Sequence, residues 1–220
     1  MRLNKYIAQS TGLSRRAADE AISQNRVLIN GSAPAMGQQV TDSDQVSLDG
    51  QVITPAVNTI TILLHKPTGY VVSREGQGSR AIYELLPDDL HQLKPVGRLD
   101  KDSSGLLLLT NDGTLAHELT HPSFQKSKTY EVTLDKPLQP LHRQMISDYG
   151  VRLEDGLSRL QLERLQDGDE SAWRVTMHEG RNRQIRRTFE SLGYRVARLH
   201  RTHFGTYALR DVKQGAYIST

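Results

Sequence analysis

The sequence predicts an α+β protein: a small N-terminal helix-and-hairpin module, then a larger mixed domain with a mainly antiparallel sheet. Three observations carry this. Residues 1–50 pass from helical to strand spacing in short, punctuated pieces, and residues 59–220 mix longer β runs with helices without steady strand–helix alternation. Between them lies a polar stretch containing Pro55. The expected boundaries are 1–50 for the module, 51–58 for a linker and 59–220 for the larger domain.

In the module, Leu3, Tyr6, Ile7 and Ala8 recur at helical spacing until Thr11-Gly12-Leu13 breaks the pattern. Ser14 is a good N-cap for a second helix, Arg15 to about Ser23, with Ala17, Ala18, Ala21 and Ile22 on one side and Arg15, Arg16 and Asp19 around the other. Arg26–Gly31 and Gln45–Gly50 read as strands closing in Asn30-Gly31 and Asp49-Gly50. In the larger domain, Thr59–Leu64 is a β run ending at Lys66-Pro67, and further strands are predicted at Tyr70–Ser73, Leu106–Thr110, Lys128–Leu134, Leu157–Leu165 and Ala172–His178. Helices are predicted at Ala81–Leu86, Leu115–Thr120, Leu138–Tyr149 and Asn182–Leu192.

Composition narrows the chemistry. The absence of cysteine removes thiol nucleophiles, disulfide scaffolds and iron–sulfur clusters, so reactive groups must be oxygen, nitrogen or carboxylate. The longest apolar run, Leu106–Leu109, is far short of the roughly 18 residues of a membrane helix, and the N-terminus has no apolar stretch of the secretory kind. A cytoplasmic protein without a membrane partner is expected. The net charge of +3 conceals a gradient: residues 171–220 hold ten of the 28 cations against three of the 25 acids, and nine of those ten are arginine. Arginine suits bidentate phosphate contacts. With Arg2, Lys5, Arg15 and Arg16 in the module, this suggests a polyanion touched at two places.

Two segments could carry chemistry. Gly97-Arg-Leu-Asp-Lys-Asp-Ser-Ser-Gly105 leads directly into the apolar Leu106–Leu109, which holds a charged turn at the mouth of a strand. Without a cysteine or a Gly-x-Ser-x-Gly elbow, a carboxylate in that turn is the best candidate nucleophile, although an Arg-x-Asp turn is also an ordinary surface ion pair. Glu179-Gly-Arg-Asn-Arg-Gln-Ile-Arg-Arg places Arg183, Arg186 and Arg187 around a helix, and Arg195, Arg198 and Arg201 follow at intervals of three. Such arginines can line a groove for a phosphate backbone and spare one to hold a carboxylate.

His117-Glu-Leu-Thr-His121 matches the zincin H-E-x-x-H, but Pro122 ends the helix at once and a third ligand would have to come from a distant Glu131 or Glu154. No glycine-rich turn suits a methyltransferase cofactor, Gly76-Gln-Gly78 being too short, and nothing resembles an adenylate-forming signature. A non-catalytic factor that binds ribosomal RNA during assembly would use the same basic faces.

The Gly97–Gly113 segment, the Glu179–Arg187 segment and Lys128-Thr-Tyr130 between them closely resemble the RsuA-like family of ribosomal RNA pseudouridine synthases. Arg2-Leu-Asn-Lys-Tyr-Ile-Ala, Ser14-Arg-Arg-Ala and Val27-Leu-Ile-Asn-Gly are similar to the S4-type RNA-binding domain that many of these enzymes carry. Ser103, where members often have threonine, still supplies a hydroxyl. The resemblance implies an α+β catalytic domain of pseudouridine-synthase type that isomerises a uridine of ribosomal RNA without cofactor or metal; a monomer is the default expectation. It implies that Asp100 is the catalytic aspartate, Tyr130 packs on the target base, Arg186 pairs with the aspartate and Leu199 forms an apolar wall. Arg98 would help displace the nucleotide, Lys128 would add positive charge, and Arg181 and Arg183 would meet backbone phosphates.

Overall fold

The computed structural model describes residues 1–55, 59–76 and 78–220, which form two compact units, Met1–Thr59 and Ile60–Thr220. In the first, α1 (Leu3–Thr11) and α2 (Arg15–Ser23) pack on an antiparallel sheet ordered β1 (Val27–Ile29), β2 (Val46–Leu48), β3 (Gln51–Ile53). Ser14 caps α2 as expected, its side chain accepting from the Ala17 amide at 3.0 Å. Leu3, Ile7, Ala18, Ala21, Ile22 and Val27 close a core, so the alternation of apolar positions along α1 and α2 is the packing face.

Gln51–Ile53, expected as the start of the linker, is the third strand. Asp49 and Gly50 both take positive φ, 52° and 80°, which makes them a two-residue hairpin turn that sends the chain back along β2. The Tyr6 hydroxyl then donates to the Ile53 carbonyl at 3.1 Å. The end of the expected linker, residues 56–58, lies outside the described residues, as does Gln77 of Gly76-Gln-Gly78.

The second unit is built on a sheet with the path β12-β13-β9-β14-β8-β4-β16, with β7 added on β8 and β15 on β14. In chain order its elements are β4 (Thr61–Lys66), β5 (Tyr70–Val71), β6 (Arg80–Ala81), β7 (Lys94–Pro95), β8 (Ser104–Thr110), α3 (Gly113–Thr120) and β9 (Lys128–Leu134). There follow α4 (Pro140–Gln144), β10 (Val151–Leu153), β11 (Gly156–Ser158), β12 (Gln161–Arg164), β13 (Ala172–Met177), α5 (Gln184–Glu190), β14 (Val196–Phe204), β15 (Tyr207–Ala208) and β16 (Tyr217–Ser219). Among the described residues, β14 and β8 are the parallel neighbours in this sheet and its other pairs are antiparallel. The class is therefore α+β, with no helix long and apolar enough to cross a membrane among the described residues.

Burial explains the leucine run. Leu107 and Leu109 enter one core with Trp173, Val175 and Phe189, while Leu106 and Leu108 enter another with Leu63, Leu119 and Phe204. A strand covered on both faces reads as continuously apolar. Three predicted elements differ in detail. Ala81–Leu86 holds a 3-10 turn at Ile82–Leu85, Leu138–Tyr149 is the short α4 followed by a π turn over Met145–Tyr149, and Leu157–Leu165 splits into β11 and β12. Its two halves join different sheets, β11 pairing with β10 and β12 with β13.

Candidate active site

β8 starts at the exit of the charged turn Gly97–Ser103, and the turn is fixed from below. Lys66, the last residue of β4, is fully buried and its Nζ donates to the carbonyl oxygens of Pro67, Asp100 and Ser103 at 2.9, 3.0 and 2.7 Å. An ammonium has three N–H donors, so three carbonyls use them all. Burial pushes the Lys66 pKa down from 10.5 to about 8, although Asp100 and Asp102 pull the other way. Gly105 lets β14 approach at the same point: its φ is +109°, and a Cβ there would lie 2.2 Å from the Arg201 carbonyl oxygen.

The sheet supplies the floor. On β9 and β14, Tyr130 lies directly opposite Arg201, and Lys128 opposite Phe204. Cross-strand partners share a face. Together with the charged turn and the start of α5 they enclose a cavity of about 730 Å³, lined among others by Arg98, Asp100, Lys128, Tyr130, Arg183 and Leu199. Tyr130 and Leu199 are buried, and the Arg201 guanidinium, 2% exposed, lies over the Phe204 ring with Nε donating to the Leu106 carbonyl at 2.8 Å.

The arginines do not sit as expected. Arg186 was expected to pair with Asp100. It is buried at 5% exposure and does not line the cavity. Its Nη1 donates to the Val196 carbonyl at 2.8 Å and its Nη2 to the Asp102 carbonyl at 3.0 Å, with the Asp102 carboxylate 3.3 Å away. The cation that reaches Asp100 is Arg183, whose Nη1 lies 3.4 Å from Asp100 Oδ2 and 3.2 Å from Asp102 Oδ1. Arg183 stands at the head of α5 with φ +45° and its side chain lies on the carboxylates, while Arg186, one turn on, is buried. Burial works against ionising Asp102, but the Arg183 hydrogen bond and the charges of Arg186 and Arg183 outweigh it and hold that carboxyl below its usual range.

Arg181, expected on phosphate, lines the cavity edge but spends its donors on protein: Nη1 on the Asp155 carbonyl and carboxylate, both at 2.9 Å, and Nη2 on the Leu157 carbonyl at 2.8 Å. Lys128 lines the cavity as expected, and burial and Arg201 lower its pKa. In the first unit, Arg2 precedes α1, Lys5 is on α1, and Arg15 and Arg16 open α2; the three arginines are exposed. Lys66 was not singled out by its chemistry in the sequence, and Arg201, read there with Arg195 and Arg198 as a groove arginine, is buried in the cavity floor. The signal for Lys66 was a lysine closing an otherwise apolar strand before a proline. The zincin pattern gathers no third ligand: among the described residues no three His, Cys, Asp or Glu side chains converge, and His121 Nδ1 is taken by Ser123 Oγ at 2.7 Å.

A carboxylate held at a strand mouth, a guanidinium on it, and a buried tyrosine and leucine share one cavity, the candidate active-site cleft of this α+β chain. The model described as RNA pseudouridylate synthase matches residues 60–191, and the S4 domain model matches residues 1–33. The ribosomal large subunit pseudouridine synthase B of Bacillus subtilis (strain 168) is 36% identical over 97% of this chain and 89% of its own. The ribosomal small subunit pseudouridine synthase A of Pasteurella multocida (strain Pm70) is 35% identical over 100% and 95%. A crystal structure of a pseudouridylate synthase superposes with a TM-score of 0.71 at 33% identity, covering 100% of this chain and 96% of that one. The chain belongs to the RNA pseudouridylate synthase family, which makes it an isomerase with an S4-type RNA-binding domain at its N-terminal end.

Proposed function

We propose that the protein converts a specific uridine of ribosomal RNA to pseudouridine, with Asp100 as nucleophile. The observation that carries this is that Asp100 opens into the same cavity as Tyr130 and Leu199 while Arg183 lies against its carboxylate. The reaction breaks the bond from N1 to the ribose, turns the uracil and joins C5 to the same ribose carbon. C5 loses its hydrogen as a proton and N1 gains one, so nothing is oxidised and no second substrate is consumed. A cofactor has no electron or group to carry.

Each step has a residue. Taking a base out of its stack costs on the order of a few kcal/mol. Arg98 beside the cavity displaces the nucleotide, and contact with Tyr130 and Leu199 offsets the lost stacking. Arg183, 3.4 Å from Asp100 Oδ2, holds the carboxylate that attacks at the mouth of the cavity. Between detachment and rejoining, the closed floor of Tyr130, Leu199 and Arg201 keeps the free uracil in place, so the second bond forms within one molecule. Arg186 acts one step back, as a positioning residue that holds the Asp102 carbonyl and hence the turn. Lys128 faces the RNA backbone from the cavity wall, and Arg2, Lys5, Arg15 and Arg16 meet it from the S4-type domain.

The enzyme works as a monomer in the cytoplasm, where ribosomal RNA is found. The Bacillus subtilis and Pasteurella multocida relatives are named for the ribosomal large and small subunits, which supports that substrate class. Purified protein, given ribosomal RNA labelled with tritium at uridine C5, is expected to release tritium without added cofactor. RNA that keeps its label after prolonged incubation, free or in ribosomal subunits, overturns the reading.

A further inference from the structure

The H-E-x-x-H segment, which the proposed reaction leaves without a use, forms an aromatic cluster at the rim of the same cavity. His117 on α3 and His121 just after it hold their rings 4.7 Å apart, and Phe124 stands edge-on to His117 at 5.8 Å and at 6.3 Å from His121. A single 3-10 turn fixes the group: the Phe124 amide donates to the His121 carbonyl, and the Gln125 amide to the Pro122 carbonyl, both at 3.1 Å. His121, Pro122, Gln125 and Lys126 line the cavity that holds Asp100, so the cluster is continuous with the candidate active site. Of the three phenylalanines, Phe189 and Phe204 are buried while Phe124 is 46% exposed. An apolar ring held out on this turn beside two other exposed rings, edge-on to both, is left open to a base instead of filling a core.

We propose that His117, His121 and Phe124 form a stacking platform for an unpaired base of the RNA that flanks the target uridine. The proposal rests on the isomerase reading above and extends it to how the substrate is held. Extruding a nucleotide leaves its neighbour without a stacking partner on one side, and aromatic rings beside the cavity replace that partner. Lys126, lining the cavity two residues after Phe124, supplies positive charge for the adjoining phosphate. Because every base presents a π-face, the platform selects for a single-stranded or looped neighbour and not for a particular letter. The rings are set in advance by backbone hydrogen bonds, so little ordering accompanies binding.

The test uses the full chain and ribosomal RNA transcripts of both subunits. Phe124→Ala should raise KM for tritium release by roughly 5- to 100-fold, the range for losing one stacked base, and Phe124→Tyr should return it to within about twofold. A merely structural ring would show instead as a lower melting temperature at unchanged KM. A second readout does not depend on turnover: in the double variant Asp100→Asn, Phe124→Trp, the new indole should lose emission when transcript is added and keep it with fully paired duplex. The single native tryptophan, Trp173, is buried and gives a constant background. If wild-type protein releases no tritium, the isomerase reading fails, and the emission change still decides the platform. Unchanged KM in Phe124→Ala, or an indole that transcript does not quench, overturns the proposal.

Discussion

Lys66→Met removes the support beneath the Asp100 turn, and its effect can be worked from the structure. Three charge-assisted hydrogen bonds are lost, to the carbonyls of Pro67, Asp100 and Ser103, each of about 1.5–3 kcal/mol. Against this, a lysine whose pKa falls from 10.5 to about 8 gives up about 3 kcal/mol in its charged form, which the methionine recovers. The net destabilisation is roughly 2–6 kcal/mol, read from urea melts. The rate should suffer in addition: a turn released by about 1 Å costs on the order of 10²-fold in turnover. Single-turnover tritium release with saturating RNA measures that separately from binding. A neutral Lys66 has only two N–H groups for three carbonyls, so the wild-type rate should also fall as pH rises through about 8. Stability runs the other way. Between about 8 and 10.5 the unfolded chain binds the proton that folded Lys66 has released, so this group's contribution to stability rises with pH. A Lys66→Met protein with the wild-type turnover, or a rate flat through pH 8–9, would refute this account of the turn.

Gly105→Ala should prevent normal folding or cost more than about 3 kcal/mol, since the added carbon meets Arg201 backbone that cannot swing aside; a melting temperature within a few degrees of wild type would count against the close β8–β14 approach. Arg186→Met should destabilise by about 2–4 kcal/mol, because two carbonyls lose a buried charged donor while the half-exposed Asp102 carboxylate keeps Arg183. Chemical denaturation checks it, and a loss below about 1 kcal/mol would show that Arg186 bears little of the turn. Deleting Met1–Thr59 should leave the circular dichroism and melting of the second unit in place, weaken RNA binding and lower the slope of affinity against salt; equal affinity and slope with and without that unit would be the opposite result.

Much of the fold was legible in the sequence because its signals are local. Ser14 and the glycine-containing turns at Asn30-Gly31 and Asp49-Gly50 fix their own backbone, and Leu106–Leu109 announces a strand covered on both faces. The third strand of the first unit was missed by stopping at the Asp49-Gly50 turn, although a two-residue turn requires a partner strand after it. At the site, the residues that line the cavity follow the family motifs, but the pairing of charges does not. Arg183 and Arg186 are three apart in sequence, and the motif does not tell which is left exposed at the head of α5 to meet Asp100 and which is buried behind it. Lys66 and Arg201 reach the Asp100 and Leu106 carbonyls, 34 and 95 positions away in sequence, and no short pattern carries that.

The central claim is that one carboxylate, Asp100, performs the isomerisation from the cavity it lines. Asp100→Asn keeps the size of the side chain and removes the nucleophile. Mapping of pseudouridine in ribosomal RNA treated with equal amounts of wild-type and Asp100→Asn protein, at matched binding, tests it directly. The account predicts full RNA affinity with conversion reduced by at least about 10⁴-fold, the scale of losing a nucleophile. Conversion at the wild-type rate by the asparagine variant would contradict it.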